Sequence, residues 1–325
     1  MPLSSADPNA FVAIGLQSAL GTPQITAGKL LFAKYESGTD FQPQIEVVDL
    51  REGGDGLDYG FTYKKSQKAA GQIVINGRPM ILPQLLAAVP AGGTWDGGSL
   101  MAKHTFQSNH ASFPWFTIVA AHPGTNPQLF SDVRFTGVTI EVSPGDPWKF
   151  TFPFTAINHG ASSGAFTPTY YGEEPFLAHA APTYVLDGTG DSDITGVKVD
   201  VTLGVEELQS QGLTLDEMPV QNRTIDVEVT RRFESPAHWK SVYYGGGVAP
   251  TTTVATGSLR VGALAGPSYL IDMNLPVLTY RGNALTELDP DGKTVIETLS
   301  ARSVRAASSP LWISVQNLHA SVYGS

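Results

Sequence analysis

Cysteine is absent from the 325 residues. That removes disulfide scaffolds, thiolate nucleophiles and cysteine-based zinc sites, and leaves stability to packing or assembly. Charge is sparse, at 15% of residues, and basic charge is the scarcer kind: 20 Lys and Arg stand against 30 Asp and Glu, a net of −10. Adhesion to nucleic acid or anionic lipid rests on Lys and Arg neutralising phosphates, so this balance opposes it. No apolar run approaches the ~18 residues of a membrane-spanning helix. The opening MPLSSADPNAF carries neither a basic nor a long apolar stretch, and the expectation is a soluble, unprocessed chain.

Glycine and proline are plentiful, 34 and 23 residues, about 18% of the chain against a usual ~12%. Turn-formers at that density, with 42% apolar residues, describe many short strands and a mainly β fold. The length is roughly twice that of a typical ~100–200-residue domain, which predicts two cores, with one large core as the alternative. The acidity is uneven: residues 1–160 carry 12 acids and 10 bases, residues 161–325 carry 18 and 10.

Alternation and β-branched or aromatic enrichment predict strands near Lys29–Tyr35, Gln44–Leu50, Gln72–Asn76, Phe116–Ala121, Val133–Val142 and Lys149–Asn158. A second series lies near Ile194–Leu203, Thr224–Thr230, Leu259–Leu264, Tyr269–Leu275, Thr294–Leu299 and Leu311–Val315. Only Pro79–Val89 and Ser235–Tyr244 read as helices, each with a proline suited to a first turn and a glycine stop behind it, at Gly92 and Gly245. These two expose an internal repeat. Pro83, Leu86, Val89, Gly92 and Gly93 match Pro236, Trp239, Val242, Gly245 and Gly246 at a constant lag of 153. Further on, the turns Pro144–Pro147 and Asp289–Gly292 each separate two strands at a lag nearer 145. The organisation expected is a first β domain over 1–160 with an N-terminal arm, a linker over 161–172 and a second β domain over 173–325. Each is an antiparallel sandwich or barrel with one flanking α-helix and a long loop, Glu36–Ala70 in the first and Gly204–Asn222 in the second.

No constellation carries catalysis. Gly160-Ala161-Ser162-Ser163-Gly164 spells G-x-S-x-G, but the helix a nucleophile elbow needs behind the serine is denied by Pro168 and the Thr/Gly-rich Ala165–Gly172. Gly292-Lys293-Thr294 resembles the end of a phosphate loop, yet the position five residues before Gly292, where glycine is required, is Glu287. Asp187, Asp191 and Asp193 share a flexible segment that reads as a solvated turn or a weak Ca²⁺ loop. His104, His110, His122 and His159 lack zinc-site spacing. The pairs Glu173-Glu174 and Glu206-Glu207 point to different sides of a strand and do not form a glycosidase couple. The expectation is a non-enzymatic structural or binding protein without cofactor or metal. A monomeric carbohydrate- or surface-binding β-sandwich adhesin is the alternative function, and an all-β hydrolase a more distant one.

The order of motifs in the first half is AIGLQSALGTP, the strand at Lys29–Tyr35, AGQIVINGRPMILPQLLAAV, HTFQ, FPWFTIV and FSDVRFTGVTIEVSPGDPWKFTFPFTA. It resembles the tail tube proteins of long, non-contractile-tailed phages. The second half, with YLIDMNLPVLTYRG, DPDGKTVIETLSAR and LWISVQN, resembles a second copy. The resemblance spans about residues 11–318 and departs at Gln17, where a Glu is often found. It implies a virion protein made in the host cytoplasm, whose domains form six-unit rings around a lumen. Three two-domain chains would close one ring, with a hexamer as fallback. The long loops would reach the next ring through Asp49, Arg51, Glu52, Asp55, Asp58, Lys64 and Lys65, and through Glu206, Glu207, Asp216 and Glu217. Other partners implied are the tape measure, tail terminator and baseplate proteins. Double-stranded DNA would pass an acidic bore without specific binding, and Glu141, Asp200, Asp226 and Glu228 are the candidate lumen-facing acids. No membrane partner is expected.

Overall fold

The computed structural model describes residues 11–26, 28–50, 60–91, 93–96, 102–107, 113–121, 127–162, 166, 169, 175–176, 183–210, 212–244, 252, 254–255, 256–265, 269–285, 295–305 and 309–317. The first half runs β1 (Phe11–Leu16), β2 (Leu30–Ala33), β3 (Asp40–Leu50), β4 (Phe61–Asn76), α1 (Leu82–Leu86) with a π-helical turn at Ala87–Ala91, β5 (Gly93–Asp96), β6 (Ala102–Gln107), β7 (Phe116–Ala121), β8 (Gln128–Phe135), β9 (Gly137–Val142) and β10 (Lys149–Ala161). The second runs β11 (Thr183–Leu186), β12 (Thr189–Gly190), β13 (Ile194–Val205), β14 (Val220–Arg232), α2 (Ala237–Tyr244), β15 (Thr256–Ala265), β16 (Tyr269–Leu285), β17 (Ile296–Ser303) and β18 (Trp312–Asn317). The fold is mainly β, as composition predicts, and all named strand pairs are antiparallel.

Alternation places the faces. In β13, Val197, Val199, Val201 and Leu203 are buried while Lys198, Asp200 and Thr202 face out, the period-2 pattern of a sheet with one wet side. β1 escapes pattern reading because its central residues Val12, Ala13, Ile14 and Gly15 are all buried and show no alternation. The polar stretch Glu36–Ala70 is not a loop for most of its length. β3 and β4 occupy it, and their mutual ladder satisfies a backbone that few buried side chains support. The strand expected over Val133–Val142 is broken at Thr136, whose N–H donates to the Pro153 carbonyl and whose carbonyl accepts from the Leu203 N–H, both at 2.8 Å. β10 continues through Ala161, so the start of the expected linker is strand.

β10 is the hub of the first half, pairing with β4 on one side and with β8 and β9 on the other. In its inward row, Phe152 and Phe154 pack edge-on against Phe135 with ring centres 5.8 and 6.4 Å away, and Phe150 stacks on Phe152. Leu82, Leu85 and Leu86 of α1 close over this core with no exposure. One buried cluster includes residues of both halves, because strands cross between them. β9 pairs with β13, and β6 pairs with β18. Buried Asn317 of β18 donates to the Pro79 carbonyl at 2.8 Å and lies 2.9 Å from the Nε2 of buried His104 on β6.

The pairing plan of the first half recurs in the second. The ladders β1·β7, β3·β4, β4·β10, β7·β8 and β9·β10 have counterparts in β11·β15, β13·β14, β14·β17, β15·β16 and β16·β17. Irregularities recur too. The slip between Glu46 and Val47 matches that between Gly204 and Val205, and the slip between Phe116 and Ile118 matches that between Gly257 and Leu259. The break at Thr136 matches the slip between Tyr280 and Gly282. A bulge adds one residue and re-aims a strand, so its recurrence at the same place in both ladders fixes the correspondence residue by residue.

Candidate assembly surfaces

The strip β4-β10-β9-β13-β14-β17-β16 turns one face to the core and the other outward. All four acids singled out in the sequence stand on the outward face, in two rows that run across the strands. One row reads Asn76, Lys149, Glu141, Lys198, Glu228, Ser300, alternating base and acid over four consecutive strands. The next reads Thr151, Thr139, Asp200, Asp226, Arg302. Directly opposed Asp200 and Asp226 would repel, but each has its own cation. Lys198 Nζ lies 3.3 Å from Asp200, and Arg302 grips Asp226 through Nε at 2.6 Å and Nη2 at 2.8 Å. Thr139 adds a hydroxyl donor to Asp200 at 2.6 Å, and Lys149 stands 3.8 Å from Glu141. The Arg302 hydrogen bonds hold the Asp226 carboxyl below its ordinary value, against a smaller desolvation effect. The bases of this face gave no signal of their own in the sequence. Register is what reveals that they sit on the strands beside the acids.

β3 and β4 project as a two-stranded ribbon whose outer part is exposed on both sides. Asp49 accepts from the Thr62 hydroxyl at 2.7 Å, Lys64 donates to Gln67, and Lys65 pairs with Glu46 at 2.7 Å. Arg51, Glu52, Asp55 and Asp58 lie outside the described residues. The charge-based reading of this segment passes over its apolar side chains. Ile45, Val47, Leu50, Phe61 and Tyr63 are 59%, 54%, 38%, 61% and 42% exposed, and Phe61 stacks on Tyr63. Their apolar character within an otherwise polar stretch was the available signal.

The connection between β13 and β14 folds back onto the base of this ribbon. Glu207 receives Lys68 at 2.7 Å, the Gln67 N–H donates to the Leu213 carbonyl at 2.7 Å, and Gln209 donates to the Lys65 carbonyl at 3.1 Å. Leu215 and Met218 pack with Ile157 of β10. Gln221 of β14 donates to Glu206, and within the connection Ser210 donates to Asp216 through both its N–H and its hydroxyl, which lowers the Asp216 pKa. Glu217 is bridged by its backbone to Leu208. The described members of the two groups of candidate loop residues are thus linked through Lys68 and Glu207.

Other sequence motifs are absorbed by structure. Asp187 adopts a left-handed φ of 52° and accepts from the Tyr280 hydroxyl at 2.9 and 3.0 Å. Asp191 and Asp193 flank the nearly buried Arg231. Gln17, the departure from the resemblance, is buried: its side chain donates to Asp132 Oδ1 and accepts from the Asp132 N–H. Among the described residues no group of three or more His, Asp or Glu is placed to hold a metal ion, and no helix is long and apolar enough to cross a membrane.

A search among curated proteins finds no match. A family model described as phage tail tube protein matches residues 8–302. With an antiparallel β architecture, an exposed ribbon and a wide polar sheet face already in place, that match over nearly the whole length means that the chain belongs to the phage tail tube protein family.

Proposed function

We propose that this protein is the structural subunit of a phage tail tube in which copies close into rings, rings stack, and the genome travels through the bore. The carrying observation is that one sheet passes without interruption from the first half into the second through β9·β13, so the joint between the halves is itself a strand ladder. Residues 1–160 and 173–325 are then two tail-tube domains and 161–172 their linker, and three chains supply the six units of a ring. Head-to-tail contacts close when the rotation fits, whereas contacts between stacked faces stay open and build a filament.

The outward face of the shared sheet is assigned to the lumen and the β3–β4 ribbon to the contact between rings. On that wall the carboxylates of Glu141, Asp200 and Asp226 occupy Lys149, Lys198 and Arg302, and Glu228 adds acid with no ion-pair partner among the described residues. DNA phosphates bind where Lys and Arg are open to them, so a wall on which Lys149, Lys198 and Arg302 are held by carboxylates favours sliding of the duplex. The role is mechanical and places the protein in the virion. Negative-stain imaging across protein concentration tests it: filaments of uniform bore are expected, and a chain that remains monomeric under every condition refutes it.

A further inference from the structure

The recurring bulges allow residue-by-residue transfer between halves. Through the ladders with β10 and β17, Gly137 of β9 corresponds to Gly282 of β16. Through the β3·β4 and β13·β14 ladders, Thr202 of β13 corresponds to Gln44 of β3. β9 and β13 are joined to each other, but their counterparts are not. Among the described residues, no strand pairs with the outer edge of β3, and none pairs with the outer edge of β16 at Arg281–Leu285. The chain therefore carries one completed joint and the two separate halves of a second.

Resting on the tube reading, we infer that β16 of one chain pairs antiparallel with β3 of the next, on the pattern of β9·β13. Transferring the register of Gly137↔Thr202, Val138↔Val201, Thr139↔Asp200 and Ile140↔Val199 sets Gly282 opposite Gln44, Asn283 opposite Pro43, Ala284 opposite Gln42 and Leu285 opposite Phe41.

Two residues support this register. A Cβ on Gly137 would sit 2.4 Å from the Val201 carbonyl oxygen of the facing strand, so only glycine permits that approach, whereas a Cβ on Gly282 would meet no atom of the described residues within 4 Å. Among the described residues nothing requires glycine at 282, and a second chain laid on β16 as β13 lies on β9 does. Pro43 corresponds to Val201, whose side of β13 faces β9, so the amide that proline lacks belongs to the free edge. Proline is tolerated in strands at such an edge, where it also blunts indiscriminate pairing. The joint between chains is one donor shorter than the joint within them.

The cysteine-free chain allows a clean test. Thr139 and Asp200 are opposed with their side chains in contact, and directly opposed residues of an antiparallel pair lie about 4.5–5.5 Å apart, within disulfide reach. The double variant Gln42→Cys/Ala284→Cys, assembled and then mildly oxidised, should give a covalent ladder that stops at a closed trimer. The off-register pair Pro43→Cys/Ala284→Cys should give little. Gly282→Ala should leave the unfolding midpoint of the unassembled chain unchanged and raise the critical concentration for assembly by about tenfold or more. Tubes that form normally without the 42–284 cross-link, or with Gly282→Ala at the wild-type critical concentration, overturn this joint and leave the tube reading intact. A chain that never assembles overturns both.

Discussion

Phe61→Ser separates folding from assembly. Phe61 stands near the end of the β3–β4 ribbon, 61% exposed, with the Tyr63 ring as its neighbour at 6.0 Å. A phenylalanine offers roughly 200 Å² to burial, so a stacked ring would cover about 120 Å² more of it. At ~25 cal/mol per Å² that is about 3 kcal/mol per contact, or roughly a hundredfold in association. The unassembled chain loses little, because exposed substitutions remain within about 0.5 kcal/mol. Thermal unfolding of the unassembled variant should therefore superimpose on wild type, while sedimentation across concentration should place its critical concentration about two decades higher. Filaments at the wild-type threshold would remove the ribbon from the contact between rings. A markedly lowered midpoint would show instead that Phe61 belongs to the fold.

Sequence reading succeeds where one face is wet and fails where both faces share a character. β13 and β14 alternate apolar and polar residues, and their outward acids Asp200, Asp226 and Glu228 are recoverable from that period alone. β1 is buried on both sides and the outer ribbon exposed on both, so neither shows the contrast on which periodicity depends. The repeat was visible in the two helices and in the turns that separate two late strands of each half, but its register was hidden. Bulges at Thr136 and between Tyr280 and Gly282 are backbone events without a residue signature of their own. Part of the charge compensation of the wall was concealed: Lys149 and Glu141 are neighbours across one hairpin, but Arg302 and Asp226, 76 residues apart in sequence, are made neighbours only by strand order.

The wall itself can be probed in the unassembled chain. Glu141→Gln/Asp200→Asn/Asp226→Asn frees Lys149, Lys198 and Arg302, which stand on alternate strands and hence about 10 Å apart. The variant should gain binding to short duplex DNA, with log affinity falling against log salt at a slope near −3 in fluorescence anisotropy, and no gain at low salt would refute the idea that carboxylates mask these cations. Asp226 also sets a pH signature. Its carboxyl is held below 3.8 by Arg302, so the unfolded chain takes up the proton first as pH falls. Its stabilisation is complete above about pH 5 and is lost below 3.8 as pH falls through the folded value. The pair is partly exposed, so Asp226→Asn should flatten acid denaturation curves by only tenths of a kcal/mol, and a curve unchanged between pH 5 and 3 would remove the pair from the balance. Gly137→Ala reaches the joint between the halves directly. The added methyl would lie 2.4 Å from the Val201 carbonyl oxygen, and backbone on a central strand cannot swing aside as a side chain can, so β9 and β13 must separate locally. Overpacking of this kind costs about 1–3 kcal/mol. Hydrogen exchange should report it as faster exchange confined to the β9·β13 ladder, with the amides of β7 and β8 unaffected. Protection lost evenly over the whole sheet would mean that the halves are not joined by a separable ladder, and the comparison between Gly137 and Gly282 would then lose its basis.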